Sequence, residues 1–371
     1  MADARLYSLL APIDGDRSLW SGTRVHESIF PKHLDPRADL DLRRTVIRLR
    51  QQGRSRAPFN AGDADNDSAT LAAAGSPAKP VSVEMTIAAS GTQTRRNLRF
   101  TKMHGIGNDF VIIDGRVDPA PIDADLVRQL GDRQRGIGFD QLLRIGVASD
   151  PTCQFSYAIW NRNGSTAAQC GNGVRCVAAW LHREGVLGDG AVRLESPIGA
   201  VEVQMLADGS VRVEMGEPQF SVSAIGLRVA DEADRYAINL PSGRVEFGAV
   251  SLGNPHAVIA VDDVAAAPVD TLGPAISHAE KFDRQCNVGF VELRSRNRIG
   301  LRVWERGVGE TLACGSGACA AVAVMRQRDL VDADVTVSLP GGELQIHWQG
   351  SGHSLAMAGP ATFVFDGEWI A

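Results

Sequence analysis

The chain carries the same short pattern twice, and this repetition constrains its fold more than any other feature. Cys170 stands in Gln-Cys-Gly-Asn-Gly and Cys314 in Ala-Cys-Gly-Ser-Gly, 144 positions apart. Trp160 and Trp304 each precede their cysteine by ten residues. Further landmarks recur in the same order at offsets of 142 to 146: Gly107-Asn108 with Gly253-Asn254, Gln141 with Asn287, Pro197 with Pro340, and Met215 with Met357. Such ordered self-similarity indicates an internal duplication, and we expect two homologous halves packed face to face.

Composition excludes several classes of protein. The 371 residues are 44% hydrophobic and 22% charged, as in ordinary globular proteins. A net charge of −6 gives no basic surface for nucleic acid. No apolar run approaches the roughly 18 residues that a membrane span needs, and the N-terminus lacks the pattern of a secretory signal. We therefore expect a cytoplasmic protein with neither a nucleic-acid nor a membrane partner.

The six cysteines do not suggest a disulfide scaffold or a metal site. A chain without an export signal is expected to keep its thiols reduced. The spacings Cys170–Cys176 and Cys314–Cys319 are not the CxxC of zinc sites, and no histidine pair accompanies them. We expect Cys153 and Cys286, and also Cys176 and Cys319, to be inert buried residues.

The first 96 residues differ from the rest of the chain. Residues 51–80 are rich in Gly, Ala, Ser, Asp, Asn and Pro. A segment of this kind buries too little apolar surface to offset its ordering entropy, so disorder is expected there. A short helix over residues 39–50 is compatible with the pattern. Met85 is an alternative start for the protein.

From Asn97 onward, strand and helix patterns alternate, which predicts an α/β fold. One helix is predicted over residues 123–134, with Asp123 as its N-cap. Helical runs of small residues follow Cys170 and Cys314. Strands are predicted over residues 98–103, 110–114, 141–147, 154–160, 191–196, 200–206 and 210–215.

The repeated cysteine pattern points to acid/base chemistry. Cys-Gly-x-Gly before small residues reads as a turn entering a helix, where glycine permits positive φ and close backbone approach. Unpaired N–H groups at a helix N-terminus bind anions such as a carboxylate. The same location lowers the pKa of a cysteine. Each half would then present one thiol and one carboxylate site to a ligand held between the halves.

Other polar residues fall at matching positions, where they could bind an amino acid or merely shape turns. Amides at strand ends both donate and accept hydrogen bonds, but they are also common turn residues. Arg306 could bind a carboxylate in bidentate fashion or form a surface ion pair. His256 could be an acid/base group or a structural residue. The amides are Asn108, Gln141, Asn161, Asn172, Asn254 and Asn287.

No cofactor is expected. Gly105-Ile106-Gly107 and Gly171-Asn172-Gly173 lack a full dinucleotide fingerprint, and no phosphate-binding loop sequence occurs. None of the four lysines stands in a context that suggests a Schiff base with pyridoxal phosphate.

Five segments in order resemble the diaminopimelate epimerase family over residues 97–371. They are Lys-Met-His-Gly-Ile-Gly-Asn-Asp-Phe (102–110), Gly-Ile-Gly-Phe-Asp-Gln (136–141), Asn-Arg-Asn-Gly-Ser-Thr-Ala-Ala-Gln-Cys-Gly-Asn-Gly-Val-Arg-Cys (161–176), Gly-Asn-Pro-His (253–256) and Glu-Arg-Gly-Val-Gly-Glu-Thr-Leu-Ala-Cys-Gly-Ser-Gly-Ala-Cys (305–319). The resemblance implies two pseudo-symmetric α/β domains, each a curled mixed sheet around a central helix. It also implies interconversion of LL- and meso-diaminopimelate without a cofactor, in lysine and peptidoglycan precursor biosynthesis.

The resemblance also implies domain boundaries and site residues. The first half would span residues 97–216 with the C-terminal strand 361–371 returning to it, the second would span 217–360, and residues 1–96 would be an extension. Cys170 and Cys314 match the catalytic pair, while His256 and Glu305 match residues that tune the thiols. The implied substrate-binding residues are Asn108, Gln141, Asn161, Gly171, Asn172, Asn254, Asn287, Glu305, Arg306, Gly315 and Ser316.

Two positions depart from the family pattern, and three alternatives remain open. Asn163 replaces an aspartate and Phe139 replaces an alanine, which puts the rate in doubt more than the reaction. Another cofactor-independent racemase, such as one acting on proline, would carry a similar thiol pair. A redox sensor or an amino-acid-binding protein would use the thiols without catalysis. A homodimer is compatible with the sequence.

Overall fold

A computed structural model describes residues 97–168, 170–188 and 190–370. The helix predicted over residues 39–50, the disorder predicted over 51–80 and the alternative start at Met85 all lie outside these residues. Within the described residues, no helix is both long and apolar enough to cross a membrane.

The first part of the described chain alternates strands and helices as predicted. All seven strands predicted from the sequence are present, with ends that differ by at most two residues. The elements are β1 (Asn97–Gly105), β2 (Asn108–Asp114), α1 (Ala124–Gly131), β3 (Gln141–Gly146), β4 (Phe155–Asn161), α2 (Gly171–Arg183), β5 (Val192–Ser196), β6 (Gly199–Met205) and β7 (Val211–Glu214).

The second part repeats this order with one short added helix and two added strands, β8 and β13. The elements are α3 (Val222–Ile225), β8 (Tyr236–Leu240), β9 (Gly243–Ser251), β10 (Pro255–Val261), α4 (Val269–Ser277), β11 (Asn287–Ser295), β12 (Arg298–Glu305), β13 (Gly309–Thr311), α5 (Gly315–Gln327), β14 (Asp334–Leu339), β15 (Gly342–His347) and β16 (Ala356–Gly359). The last strand, β17 (Thr362–Ile370), pairs antiparallel with β1, at the other end of the described chain.

Strand pairing makes the duplication explicit. In the first half the order is β17-β1-β2-β3-β4-β5-β6-β7, and in the second it is β8-β9-β10-β11-β12-β14-β15-β16. Both runs have parallel pairs only at the third and fifth contacts, β2–β3 and β4–β5 in one, β10–β11 and β12–β14 in the other. The halves join where β7 pairs antiparallel with β16. The predicted fold class, two pseudo-symmetric domains of mixed sheet with helices, is confirmed.

Each sheet curls around one central helix. Helix α2 buries ten of its thirteen residues and α5 buries ten of thirteen, so neither has a wide polar face. Most of the buried residues of both helices are small or apolar, as in helices of a protein interior, although α2 also buries Asn172 and Arg175. Residues of both helices join one continuous apolar core that includes Val177 and Val322. The N-termini of α2 and α5 are thereby held firmly against the surrounding strands.

Helix α1 ends earlier than the sequence pattern predicts. Asp123 caps its N-terminus by accepting a hydrogen bond from the Leu126 amide, as expected. The helix stops at Gly131 and not at Gln134, because the next carboxylate forms a local turn. Asp132 accepts hydrogen bonds from the amides of Gln134 and Arg135, an Asx arrangement that competes with helix continuation.

Candidate active site

The two repeated cysteines occupy equivalent positions, each immediately before a central helix. Cys170 is the N-cap of α2 and Cys314 is the N-cap of α5, both with extended backbone angles. The Gly173 amide lies 3.4 Å from Cys170 Sγ. Cys170 is partly exposed and Cys314 is 4% exposed. Both thiols therefore stand beside the unpaired N–H groups of a helix end, as the sequence predicted.

The glycines that follow the cysteines serve close packing between the halves. Positive φ was expected as one reason for them, but none of the four in the two Cys-Gly-x-Gly segments has it. A Cβ added to Gly171 would lie 2.9 Å from Met357 Cε, and one added to Gly315 would lie 3.0 Å from Met357 Sδ. Met357 of β16 thus packs against both helix ends. A larger residue in place of Gly171 or Gly315 would push Met357 away from the helix end.

Asn172 connects the two halves directly beside both cysteines. Its Nδ2 donates to the carbonyl of Ala313, at 3.2 Å, and lies 3.4 Å from Asn108 Oδ1. Because the Ala313 carbonyl can only accept, the amide orientation of Asn172 is determined. Its Oδ1 is buried and has no hydrogen-bond partner among the described residues. Asn172 therefore offers an unused acceptor between the two thiols' helices.

Asn108 faces the first thiol in an orientation set by a carboxylate. Its Nδ2 donates to Asp140 Oδ2 at 2.9 Å, so its Oδ1 points toward Cys170 Sγ, 3.7 Å away. Asp140 is held in turn by Arg133 at 2.8 Å. Ion pairs with Arg133 and Lys102 hold the pKa of Asp109, the residue after Asn108, far below its usual range even though burial opposes them.

The second thiol has a different set of neighbours. Ser316 Oγ lies 3.8 Å from Cys314 Sγ. Glu305 Oε1 accepts a hydrogen bond from Thr311 Oγ1 at 2.5 Å, and the Glu305 carboxyl lies close enough to Cys314 for each to shift the other's pKa. Burial raises the pKa of Glu305. A carboxyl group with a raised pKa therefore lies beside Cys314. In the first half, the position that corresponds to Glu305 is occupied by Asn161.

His256 reaches Cys314 only through other side chains. Its Nε2 lies 3.1 Å from Asn254 Oδ1, and Asn254 Nδ2 donates to Ser316 Oγ at 3.3 Å. Ser316 then contacts the thiol. Asn287 Nδ2 lies 3.4 Å from the same His256 Nε2. His256 is thus placed to orient the amides around the second thiol.

Two strand ends carry the remaining polar residues of the site in matched pairs. Gln141 lies opposite Asn161 across β3–β4 and donates to its Oδ1 at 3.0 Å. Asn287 occupies the matching position on β11, and its Oδ1 accepts from the Arg306 amide at 2.9 Å. Gln141 Oε1 is a second buried acceptor without a partner among the described residues. Each of the two unpartnered oxygens, on Gln141 and on Asn172, can accept a hydrogen bond from a cationic donor such as an ammonium group.

Arg306 was expected either to bind a carboxylate or to form a surface ion pair. Its side chain is exposed, and Nη1 donates to the Gln285 carbonyl at 3.2 Å. No carboxylate of the described chain lies within ion-pair distance of its guanidinium, which argues against the alternative of a surface ion pair. A guanidinium held at one nitrogen can still bind a carboxylate through the others.

The thiol pKa values differ from the sequence expectation. Removal from water raises the pKa of Cys170 to about 11 and that of Cys314 well above its usual value. Hydrogen bonds from the Gly173 and Gly317 amides lower these pKa values, as expected at helix ends, but burial outweighs them. The expectation of a lowered pKa was therefore wrong for this arrangement.

Comparison with known proteins identifies the family. The diaminopimelate epimerase family matches residues 100–221 and 248–364. The chain belongs to the diaminopimelate epimerase family. Relatives of that description include proteins of Xanthomonas euvesicatoria, 51% identical over 73% of this chain and 96% of the relative, and Chromobacterium violaceum, 46% identical over 73% and 98%.

Solved structures share the fold at low sequence identity. A hydroxyproline epimerase from Agrobacterium vitis superposes with a TM-score of 0.54 at 16% identity, covering 74% of this chain and 93% of that one. A phenazine biosynthesis protein of the PhzF family from Bacillus anthracis gives 0.54 at 14% identity, covering 74% and 100%. The duplicated architecture is therefore shared beyond the family.

The two departures from the family pattern have structural explanations. Asn163 Oδ1 accepts from the amide and the hydroxyl of Ser165, so an amide oxygen caps this turn where a carboxylate is usual. Phe139 is 0% exposed and packs with Leu130 and Leu142 beneath α1. Neither residue contacts a thiol.

Sequence reasoning missed three residues around the site. Asp140 orients Asn108, Met357 packs against both helix ends, and Arg175 lies buried behind Gly171. Asp140 and Arg175 stood inside the quoted family segments, and Met357 was one of the repeated landmarks. Their positions were therefore visible, but their roles depend on contacts between distant parts of the chain.

Burial of His256 makes stability depend on pH. Desolvation, assisted by the charge of Arg306, lowers the pKa of His256 to about 3, against about 6.5 in an unfolded chain. Between these values the unfolded state binds one more proton, so stability falls as pH falls below 6.5. We expect the wild-type protein to lose about 2 kcal/mol more than His256→Gln on going from pH 7 to pH 5.

Urea unfolding at both pH values measures this difference, and carboxylates common to both proteins cancel in it. Parallel losses in the two proteins would show that His256 is not held neutral.

Proposed function

We propose that the protein interconverts LL- and meso-diaminopimelate by proton transfer at Cα, without a cofactor. The observation that carries this proposal is the placement of Cys170 and Cys314 as N-caps of two matched helices whose ends are joined by Asn172 and Met357. Two acid/base groups on opposite sides of one carbon are what inversion requires. Family membership supports the substrate.

The proposed reaction uses one thiolate and one thiol. The thiolate of one cysteine removes the α-proton, and the thiol of the other delivers a proton to the opposite face, so each cysteine ends in the state in which the other began. An amino-acid Cα–H is very weakly acidic. Helix-end N–H groups of Gly171 and Gly315 would bind the α-carboxylate and stabilise the developing negative charge. Met357 helps to exclude water from this position.

The polar residues of the site fit a long substrate with two charged ends. We assign the α-ammonium group to the unused acceptors of Gln141 and Asn172, and the distant carboxylate to Arg306. Glu305 and His256 act on the Cys314 thiol, the first directly and the second through Asn254 and Ser316. The proposed substrate-binding set is Asn108, Gln141, Asn161, Gly171, Asn172, Asn254, Asn287, Glu305, Arg306, Gly315 and Ser316.

Conversion of purified LL-diaminopimelate tests the proposal directly. Chiral chromatography should detect meso-diaminopimelate without added pyridoxal phosphate or metal, and EDTA should not reduce the rate. Proline and 4-hydroxyproline are the comparison substrates. Racemisation of proline with no action on diaminopimelate would favour the other class of racemase, and binding without turnover of either would favour a sensor or binding protein.

Domain boundaries follow from the same proposal. We assign residues 97–216 and the returning strand 361–371 to the first half, and residues 217–360 to the second, with residues 1–96 as an extension. The pairing of β17 with β1 and the β7–β16 junction support these limits. We also propose the cytoplasm as the location, where thiols stay reduced.

A homodimer formed along β17 is the proposed oligomer. Among the described residues β17 pairs with β1 alone, which leaves its outer edge open. Phe363, Val364 and Phe365 on this strand are 37%, 53% and 49% exposed. Exposed apolar edge strands favour association. Light scattering should give a dimer mass for the wild type and a monomer mass for Val364→Lys. A monomeric wild type would refute this assignment.

A further inference from the structure

Arg175 is a buried cation for which the described chain provides no carboxylate. It lies in the first turns of α2 and is 0% exposed. Its Nε donates to the Pro360 carbonyl and its Nη1 to the Gly171 carbonyl, both at 3.3 Å, and Nη1 lies 3.8 Å from Met357 Sδ. Its Nη2 has no hydrogen-bond partner among the described residues. All of its partners are neutral.

A buried guanidinium is retained only if something offsets its loss of hydration, because an isolated charge is costly in a protein interior. The groups that can become anions near Arg175 are the thiols of Cys170, Cys176 and Cys319. Cys176 and Cys319 are 0% exposed, whereas Cys170 is partly exposed at the end of α2. Cys170 is therefore the thiol that can release its proton to the site.

The charge breaks the symmetry of the duplicated fold. The position of the second half that corresponds to Arg175 is Cys319, 144 residues later. Conversely, Glu305 beside Cys314 corresponds to the neutral Asn161 in the first half. A cation thus lies behind the first thiol, and a carboxyl group lies beside the second. The two halves match in backbone but differ in charge at this point.

We propose that Arg175 is a positioning residue whose charge stabilises the Cys170 thiolate, which makes Cys170 the more easily ionised of the two catalytic thiols. The inference rests on the proposed function and specifies one step of it. Cys170 releases its proton to water, and the electron pair left on Sγ is opposed by the guanidinium. The contacts of Nη1 with Gly171 and Met357 also hold the end of α2 against β16.

The other groups that face Cys170 act in both directions. Asn108 Oδ1 favours the protonated thiol as an acceptor, whereas the Gly173 amide favours the thiolate as a donor. Glu305 raises the pKa of Cys170, and Arg175 lowers it. The remaining ionisable neighbours, Tyr157 and Cys176, are neutral at physiological pH because burial raises their pKa values. Arg175 is thus the cation that acts on this thiol from its own helix.

The test measures ionisation of each thiol in the full-length chain without turnover. Iodoacetamide labelling rates between pH 6 and 10, followed by peptide mapping, report the thiolate fraction of Cys170 and of Cys314 separately in one sample. In Arg175→Met we expect Cys170 to label about tenfold more slowly at each pH in this range, which corresponds to an upward shift of about one unit in its pKa. Arg175→Lys, which keeps the charge, should stay close to wild type. The labelling rate of Cys314 should not change in either variant.

Two further variants separate charge from packing. Arg175→Gln keeps hydrogen-bonding ability without charge, and it replaces the Met variant if that variant does not fold. It should show the same upward shift in the pKa of Cys170. Arg326→Met removes an arginine of α5 that also donates to carbonyls, those of Val331 and Gln349, and should leave Cys170 unchanged. Equal shifts in the Lys and neutral variants, or no shift in any, would overturn the proposal. Assaying epimerisation alongside distinguishes this failure from failure of the proposed function.

Discussion

Replacing Cys170 or Cys314 with alanine is expected to lower epimerisation of diaminopimelate on the order of a thousandfold. Each thiol is the sole proton donor or acceptor proposed for its face of the substrate, and loss of a positioned acid or base costs about 10²–10⁴ in rate. Both variants should suffer equally, because each direction of the reaction uses one thiol as base and the other as acid. Steady-state turnover in both directions measures the effect.

Cys153→Ala is the control for this pair, since Cys153 lies 9% exposed in the turn before β4, away from both helix ends. Its turnover should stay within about twofold of wild type, as for a residue outside the site. Thermal unfolding confirms that the two site variants remain folded. Wild-type turnover by either one would refute the two-thiol mechanism.

Arg306→Met is expected to lower kcat/KM by about a hundredfold, mostly through a higher KM. The guanidinium is anchored at the Gln285 carbonyl and can add two charge-assisted hydrogen bonds to the distant carboxylate. Each such bond contributes about 1.5–3 kcal/mol, and a factor of ten corresponds to about 1.4 kcal/mol. Because this carboxylate does not react, its binding is similar in ground and transition states, and KM carries the loss.

Arg296→Met is the matched control, because this exposed arginine forms ion pairs with Asp329 and Asp332 at the surface. Exposed ion pairs contribute little to the free energy of folding, so the kinetic constants of Arg296→Met should not change. An Arg306→Met enzyme with unaltered KM would place the distant carboxylate elsewhere in the site.

Much of the architecture could be predicted because it is encoded locally. The strands of the first half, the N-cap at Asp123 and the placement of Cys170 and Cys314 at helix ends follow from periodicity and capping chemistry, which act over a few residues. The duplication could be recognised in the sequence because matching residues recur at nearly constant spacing. Repetition converts several weak local signals into one strong constraint.

The rest depends on contacts across the fold. Nothing near Asn172 in the sequence indicates that its side chain donates a hydrogen bond to the carbonyl of Ala313 in the other half. The thiol pKa values were mispredicted for the same reason. The helix-end effect is local, whereas the burial that outweighs it is produced by both sheets together. Burial and charge pairing are properties of the assembled core, so sequence spacing does not reveal them.

The measurement that tests the central claim most directly is the reaction of LL-diaminopimelate in D₂O, followed by mass spectrometry at low conversion. Thiols exchange with solvent, so the account predicts one deuterium at the inverted carbon of the meso product and none in the recovered substrate. Product that retains its original hydrogen, or substrate that exchanges without inversion as fast as product forms, would contradict proton transfer between two opposed thiols.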